Sequence, residues 1–339
     1  MTGVGHGLHR FLSGAALAGG ALDPALLGLS WIGLAGPTAL PQSLPCQQLH
    51  APCLLGEAVE AWTGAGPTLA GSRHGVRYRH DGGLLFGVIE VAEDVFVLGD
   101  DGSPVLQRAA QQAYEAVFRL LGEEGYPHLW RIWNYLPHIN RETDGLERYR
   151  QFNIGRHRAF EAAGRLVMDS IPAASALGVS GGPLSVAFLA GRTPTRSIEN
   201  PRQLSAFRYP ADYGPCSPTF SRAALGRYAG AEWLFVSGTA SIVGHQSMHP
   251  GDPVAQTREL LANLDALLAE ASRCSAGPAY RLPELSARVY VRHPEHLAAV
   301  QAELARGLGG TAQRVYLQAD VCRADLLVEV EAQACHLLS

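Results

Sequence analysis

Near the end of the chain, the stretch ADVCRADLLVEVEAQ (residues 319 to 333) sets Glu329 and Glu331 in a run that alternates like a strand. Leu326, Val328 and Val330 fall on one face, and Leu327, Glu329 and Glu331 on the other. A glutamate on such a strand ordinarily faces water. One that faced a pocket would lose solvation, hold its proton to higher pH and serve as a proton donor near neutrality. A lone cysteine, Cys322, stands seven residues before Glu329. A free cysteine is commonly a small buried hydrophobe, so Cys322 alone signals little.

Two clusters mix arginine with tyrosine. ERYRQFNIGRHR (147 to 158) carries four arginines, Arg156 among them, and Tyr149 around an Asn-Ile-Gly break. SAFRYPADYG (205 to 214) adds Arg208, Tyr209 and Tyr213. A solvated helix face accounts for Arg150 and Arg158. It accounts poorly for arginines beside Tyr, Asn and Gly in a Pro-rich loop. Guanidinium for carboxylate, with phenol or amide for hydroxyl, suits a small ring-shaped dianion.

Other motifs are weaker. GVSGG (178 to 182) has the spacing of a serine-hydrolase elbow, with Ser180 as nucleophile. The elbow needs a strand before it and a helix after, yet Pro183 follows at once, so a glycine loop is the plainer reading. HQSMH (245 to 249) sets two histidines four apart, but between Gly244 and Pro250-Gly251, in a loop and without the glutamate of a zinc helix. We expect no metal there.

The 339 residues are 47% hydrophobic and 17% charged, the balance of a globular enzyme, with room for two or three domains. The net charge of −4 gives no reason to expect nucleic acid. All 27 basic residues are arginine. Without lysine, Schiff-base, pyridoxal-lysine and P-loop chemistry are excluded. Six scattered cysteines with no C-x-x-C pair suggest reduced thiols in a cytosolic protein. FLSGAALAGGAL (11 to 22) has the length of a signal core, but Asp23 and Pro24 interrupt it, so we expect no signal peptide; no run is long enough for a membrane span.

Residues 1 to 60 show weak periodicity and read as an irregular segment without a functional reading of its own. Beyond them, strands are expected at 84–91 and 128–137, and helices at 103–125, capped by Ser103, and at 145–164. After a Pro/Gly/Ser-rich connection over 165–230, the order recurs: strand 232–244, helix 252–272 capped by Asp252, strand 285–293, helix 294–310 and two closing strands. That looks like a duplicated α+β unit, divided as 61–200 and 201–339.

The later segments LFVSGTASI, VAQTRELLANLDALLAEA, ARVYVRHPEHLAAVQAEL and RVYLQADVCRADLLVEVEA resemble the reactive-intermediate deaminase fold. That resemblance implies two tandem units, each a mixed sheet with helices on one face, and puts Arg314 where that family often carries a carboxylate-binding arginine. IWNYLPHIN, RYRQFNIGRHRAF, FRYPADYGPCSPTFSRA, FVSGTASIVGHQSMHPGD and DVCRADLLVEVE together resemble the chorismatase family over residues 70 to 335. The resemblance implies removal of pyruvate from chorismate, without metal or organic cofactor. It makes Glu329 the acid that protonates the enol ether methylene. Water then gives a dihydrodiol, or the ring hydroxyl displaces the side chain and 3-hydroxybenzoate forms. Aromatising members carry a cysteine and a glycine at the places of Cys322 and Gly238, which implies a 3-hydroxybenzoate synthase. Motif membership offers Arg156 and Arg208 for the carboxylates, with Tyr149, Tyr213, Asn134 and Arg222 as partners. Glu331 has no assigned role and is expected nearer solvent. The partner is the small-molecule substrate, and a monomer is expected. A dihydrodiol or mixed hydroxybenzoates as ring product, a binding protein or imine deaminase on the same fold, and a Ser180 hydrolase are the competing readings.

Overall fold

The computed structural model describes all residues except 1–7, 15, 16, 18–21, 38, 39, 100, 168–170, 211, 212, 311 and 339. Half of the apolar run weighed as a signal core, residues 15, 16 and 18–21, therefore lies outside the described residues. The first part of the chain forms β1 (His9–Leu12), β2 (Leu26–Ile32), β3 (Cys46–Leu49), β4 (Cys53–Leu55) and β5 (Val59–Thr63). Then come β6 (Leu69–Arg73), β7 (Val76–His80), β8 (Leu84–Val91), α1 (Val105–Glu124), β9 (His128–Pro137), α2 (Arg148–Ala162), β10 (Ala173–Val179) and β11 (Leu184–Gly191). The remainder holds β12 (Arg196–Ile198), β13 (Ala223–Tyr228), β14 (Ala231–Ala240), α3 (Pro253–Cys274), β15 (Ser286–Val291), α4 (Leu297–Leu308), β16 (Arg314–Gln318) and β17 (Val328–Leu337).

Two mixed sheets dominate, each with two helices on one face, as the α+β reading expected. The first has the order β10-β9-β11-β8-β7-β6, the second β12-β13-β14-β17-β15-β16-β4. β9 runs parallel to β10, and β15 parallel to β16. α1 packs on β8 and β11 with α2 against it; α3 packs on β14 and β17 with α4 against it. The uncovered faces meet each other, with Trp130, Trp133 and Leu189 from one sheet and Trp233, Phe235 and Tyr290 from the other in one core. None of the described helices is long and apolar enough to cross a membrane.

The stretch read as irregular, 1 to 60, instead supplies a four-stranded sheet, β1-β5-β2-β3, and gives β4 to the edge of the second large sheet. β2 is buried along nearly its whole length, so it shows no polar alternation to read. Gly28 lets it lie against β8, since a Cβ there would overlap the Phe86 ring. The connection read over 165–230 likewise holds four strands, β10 to β13. β10 and β11 are buried on both faces and rich in Ala and Gly, again without alternation. GVSGG joins these two strands, no helix follows, and Ser180 donates to the His50 carbonyl at 2.6 Å, so there is no nucleophile elbow. Ser103 does not cap α1: Pro104 holds the cap position, and the Ser103 hydroxyl donates to Asp101 at 2.7 Å. Asp252 does cap α3, accepting from the backbone N–H groups of Val254 and Ala255, both at 3.0 Å.

Candidate active site

β17 alternates as its sequence does. Val328, Val330, Ala332 and Ala334 pack under the helices, which turns Glu329, Glu331 and Gln333 toward the other sheet. Glu329 lies opposite Ala240 of β14 and Tyr290 of β15. The β14–β17 register slips between Val236 and Thr239, and Gly238 sits in that bulge. A Cβ on Gly238 would overlap the Glu329 carboxyl group. The glycine is thus a matter of space, and Gly238→Ala is expected to displace the carboxyl and slow turnover about 100-fold, as sub-ångström to ångström misplacements do, read as kcat. Glu329 is 4% exposed and accepts no hydrogen bond from any described residue. Burial first, then the nearby Glu331, push its pKa up to about 8, against the pull of Arg131, Arg222 and Arg292. Near neutrality it is a carboxylic acid that still holds its proton.

Glu329 borders a cavity of ≈ 260 Å³. A recess of ≈ 30 Å³ beside it is lined by Arg156, Ser175 and Glu329 among others. Four arginines line these spaces: Arg150 pairs with Glu147 at 3.4 Å, and the other three pair with no carboxylate of any described residue. Arg156, 1% exposed, donates to Asn153 at 2.8 Å and lies 5.0 Å over the Phe152 ring, and its Nε has no acceptor. Arg222 donates to Tyr209 Oη at 2.8 Å and to the Leu204 carbonyl at 2.7 Å; its Nε also lacks an acceptor. Arg323 donates to the His245 carbonyl at 2.8 Å and stands 4.1 Å over the Tyr213 ring, with Nη2 unpartnered. Buried guanidinium groups with idle N–H donors and no counter-ion are what an anionic ligand satisfies. Tyr149 lines both spaces, and burial keeps its hydroxyl protonated. Cys322 also lines both, with its thiol pushed up to about 12 by burial and by Glu329. It is therefore a neutral thiol, with no thiolate to act as nucleophile.

The structure gathers Glu329, Cys322, Gly238, Arg156, Tyr149, Tyr213 and Arg222 around the cavity. It leaves out others. Arg208 is exposed, stacks over Phe207 at 6.0 Å and does not line the cavity, because its short helix turns it outward. Asn134 is fully occupied in the core, accepting from Tyr114 at 2.7 Å and donating to the Ser175 carbonyl at 2.8 Å. Arg314 binds the carbonyls of Leu304 and Gly309 at the end of α4 instead of facing the site. His245 packs edge-on against Tyr213, and His249 meets Glu259. Arg323, Tyr209 and Ser175 went unassigned in the sequence. Arg323 had a signal available, since it follows Cys322 directly.

Glu331 is far from solvent. It is 2% exposed, 2.6 Å from Arg131 and 3.3 Å from Arg288, and Ser175 donates to it. Arg288 also pairs with Glu60 of β5, which bonds His9 of β1 at 2.5 Å. The carboxylate face of an inner strand packs on the opposite sheet, so both glutamates are enclosed.

Two stacked α+β layers enclose a cavity with a protonated acid and three arginines without carboxylate partners in its walls, an arrangement that suits a small organic anion. Residues 60–190 match the family described as "Chorismatase FkbO/Hyg5-like, N-terminal". A chorismatase of Streptomyces rapamycinicus is 40% identical over 279 residues, covering 80% of each chain. A 3-hydroxybenzoate synthase of Streptomyces hygroscopicus is 38% identical over 281 residues, again covering 80% of each chain. A chorismatase crystal structure superimposes with a TM-score of 0.84 at 33% identity, covering 96% of this chain and 97% of that one. The chain belongs to the chorismatase family.

Proposed function

We propose that this protein cleaves chorismate to 3-hydroxybenzoate and pyruvate, with Glu329 as the proton donor. The observation that carries the reading is a buried, protonated Glu329 in a cavity where three of the four lining arginines, Arg156, Arg222 and Arg323, lack carboxylate partners. Chorismate has two carboxylates for Arg156, Arg222 and Arg323 to share. Its enol ether is inert until the terminal methylene carbon gains a proton. Transfer from Glu329 turns the methylene into a methyl group and leaves an oxocarbenium ion on the side chain. Attack of the ring hydroxyl at the ether-bearing carbon then breaks the ring C–O bond, and the side chain departs as pyruvate. The proton shed by that hydroxyl restores Glu329. The epoxide so formed across the two ring carbons opens at the carbon that first bore the hydroxyl, and a proton passes from ring carbon to oxygen, giving 3-hydroxybenzoate. Chorismate holds the atoms of hydroxybenzoate plus pyruvate, so this route takes up no net water, whereas the diol route takes up one.

Cys322 is assigned to the second stage. A neutral thiol in the wall beside Glu329 fills space and offers a weak donor, which favours ring-hydroxyl attack over entry of water. The test is purified protein with chorismate, followed for pyruvate and for the ring product by chromatography. Pyruvate with 3-hydroxybenzoate is the expected result. Cys322→Ala is expected to keep pyruvate release within about tenfold, the scale of one weak contact, while raising the non-aromatic fraction. An unchanged product mixture would remove Cys322 from the scheme, and absence of pyruvate from the unaltered protein would refute the whole reading.

A further inference from the structure

Cys322 sits in a stretch, 319 to 327, that has no helix and no strand ladder to fix its place. A bridge between Asp320 and Gly178 and two hydrogen bonds with Gln256 help to hold it, but one side chain gives it more hydrogen bonds than any other. Arg292, just past the end of β15 and with its side chain only 10% exposed, spends its guanidinium on the two sides of the cysteine. Nη2 donates to the Arg323 carbonyl at 2.8 Å and to the Val321 carbonyl at 3.1 Å, bracketing Cys322 in the chain. Nε donates to the Leu326 carbonyl at 2.8 Å, and Nη1 to Asp320 at 2.6 Å. The same Nη2 reaches Asn140 at 3.1 Å, in the connection between β9 and α2. Asn140 in turn donates to Glu147, a cavity residue, at 3.3 Å, and the Tyr149 amide bonds the carbonyl of neighbouring Ile139 at 2.9 Å. One planar fork therefore ties the wall bearing Cys322 and Arg323 to the wall bearing Glu147 and Tyr149.

We propose that Arg292 is a positioning residue that sets the gap between these two walls, and thereby how the reaction divides between aromatic and non-aromatic ring products. The proposal rests on the assignment of Cys322 to the second stage. Arg292 lines neither the cavity nor its recess, so it acts through what it holds. A guanidinium is needed for this task. Its donors leave in fixed directions within one plane, and three carbonyls, a carboxylate and an amide oxygen are met at once. A lysine keeps the positive charge near Glu329 but has a single point of donation on a flexible stem, so it separates geometry from field. Protonation of the methylene, at Glu329 on β17, should survive the change. The second stage, which depends on whether ring hydroxyl or water reaches the ring carbon, should not.

The experiment compares Arg292→Lys with Cys322→Ala and the unaltered protein, reading both pyruvate rate and the ratio of 3-hydroxybenzoate to pyruvate. For Arg292→Lys the ratio is expected to fall about tenfold or more, as ångström misplacements allow, with the pyruvate rate falling less. Both variants should move the ratio in the same direction. A shifted ratio in Cys322→Ala beside an unchanged one in Arg292→Lys overturns the proposal and leaves the role of Cys322 intact. No shift in either variant refutes the role of Cys322, and the proposal with it. Should the lysine variant not fold, Asp320→Ala serves instead: that carboxylate is 44% exposed, lies outside the cavity lining, and orients the guanidinium through Nη1. It is expected to lower the ratio in the same direction, and an unchanged ratio there is equally decisive against the proposal.

Discussion

Glu329→Gln lowers the rate of pyruvate release by about 10²–10⁴-fold, the span that a positioned general acid supplies. Glutamine keeps the shape and the burial but has no proton to give to carbon. The pH dependence follows from the same group. Only protonated Glu329 is competent, and its pKa stands at about 8. The kcat/KM of the unaltered protein is therefore level on the acid side of that value and falls about tenfold per unit above it. Stability changes in the same window. The unfolded chain releases this proton in the ordinary carboxylic range, while the fold keeps it to about 8. Fewer protons bound in the unfolded state make stability fall as pH rises between those limits. Glu329→Gln removes that slope, so the variant should gain stability relative to the unaltered protein between pH about 5 and 8 while losing activity. Urea unfolding at both ends of the window, alongside pyruvate release, checks both halves. A variant that lost activity with the slope intact would show that another group holds the proton.

The parts legible in the sequence are those whose burial is one-sided. β17 announced itself by alternation, and α3 by Asp252 and Pro253 at its start. β2, β10 and β11 are covered on both faces, so nothing in them alternates, and their Gly and Ala read as loop. The site divided in the same way. The arginine–tyrosine composition pointed to a dianion pocket, but composition does not say which arginine turns inward. Arg208 and Arg222 stand in one segment, one outside the cavity and the other in its wall. The roles of Glu329 and Cys322 came from resemblance to a family, since a carboxylate on a strand and a lone thiol do not distinguish pocket from core. Glu331 was misjudged because its partners lie at 131, 175 and 288, and no local pattern reports contacts that only the stacking of two sheets creates.

Glu331→Gln is expected to destabilise the fold by about 3–5 kcal/mol, the usual loss when one partner leaves a buried ion pair. The charges explain the size. Arg131 and Arg288 face Glu331 and Glu60, two against two. His9 beside Glu60 adds no charge, because burial and Arg288 push its pKa down to about 3. Glutamine at 331 leaves two enclosed guanidinium groups with one carboxylate. Against a typical stability of about 5–15 kcal/mol that is a large fraction, visible as a lower urea midpoint at unchanged slope. The substitution also acts on the acid two residues away. Glu331 is the second cause of the raised Glu329 pKa, and with it gone Arg131, Arg222 and Arg292 are opposed by burial alone, so Glu329 should release its proton more easily. The alkaline fall in kcat/KM then begins at lower pH than in the unaltered protein. Glu331→Asp, which keeps the charge, should bring that limb back even if some stability stays lost. A destabilised glutamine variant with an unmoved limb would make the pair a scaffold only. A moved limb that aspartate restores would show that the charges between the two sheets also set the pH range over which the acid works.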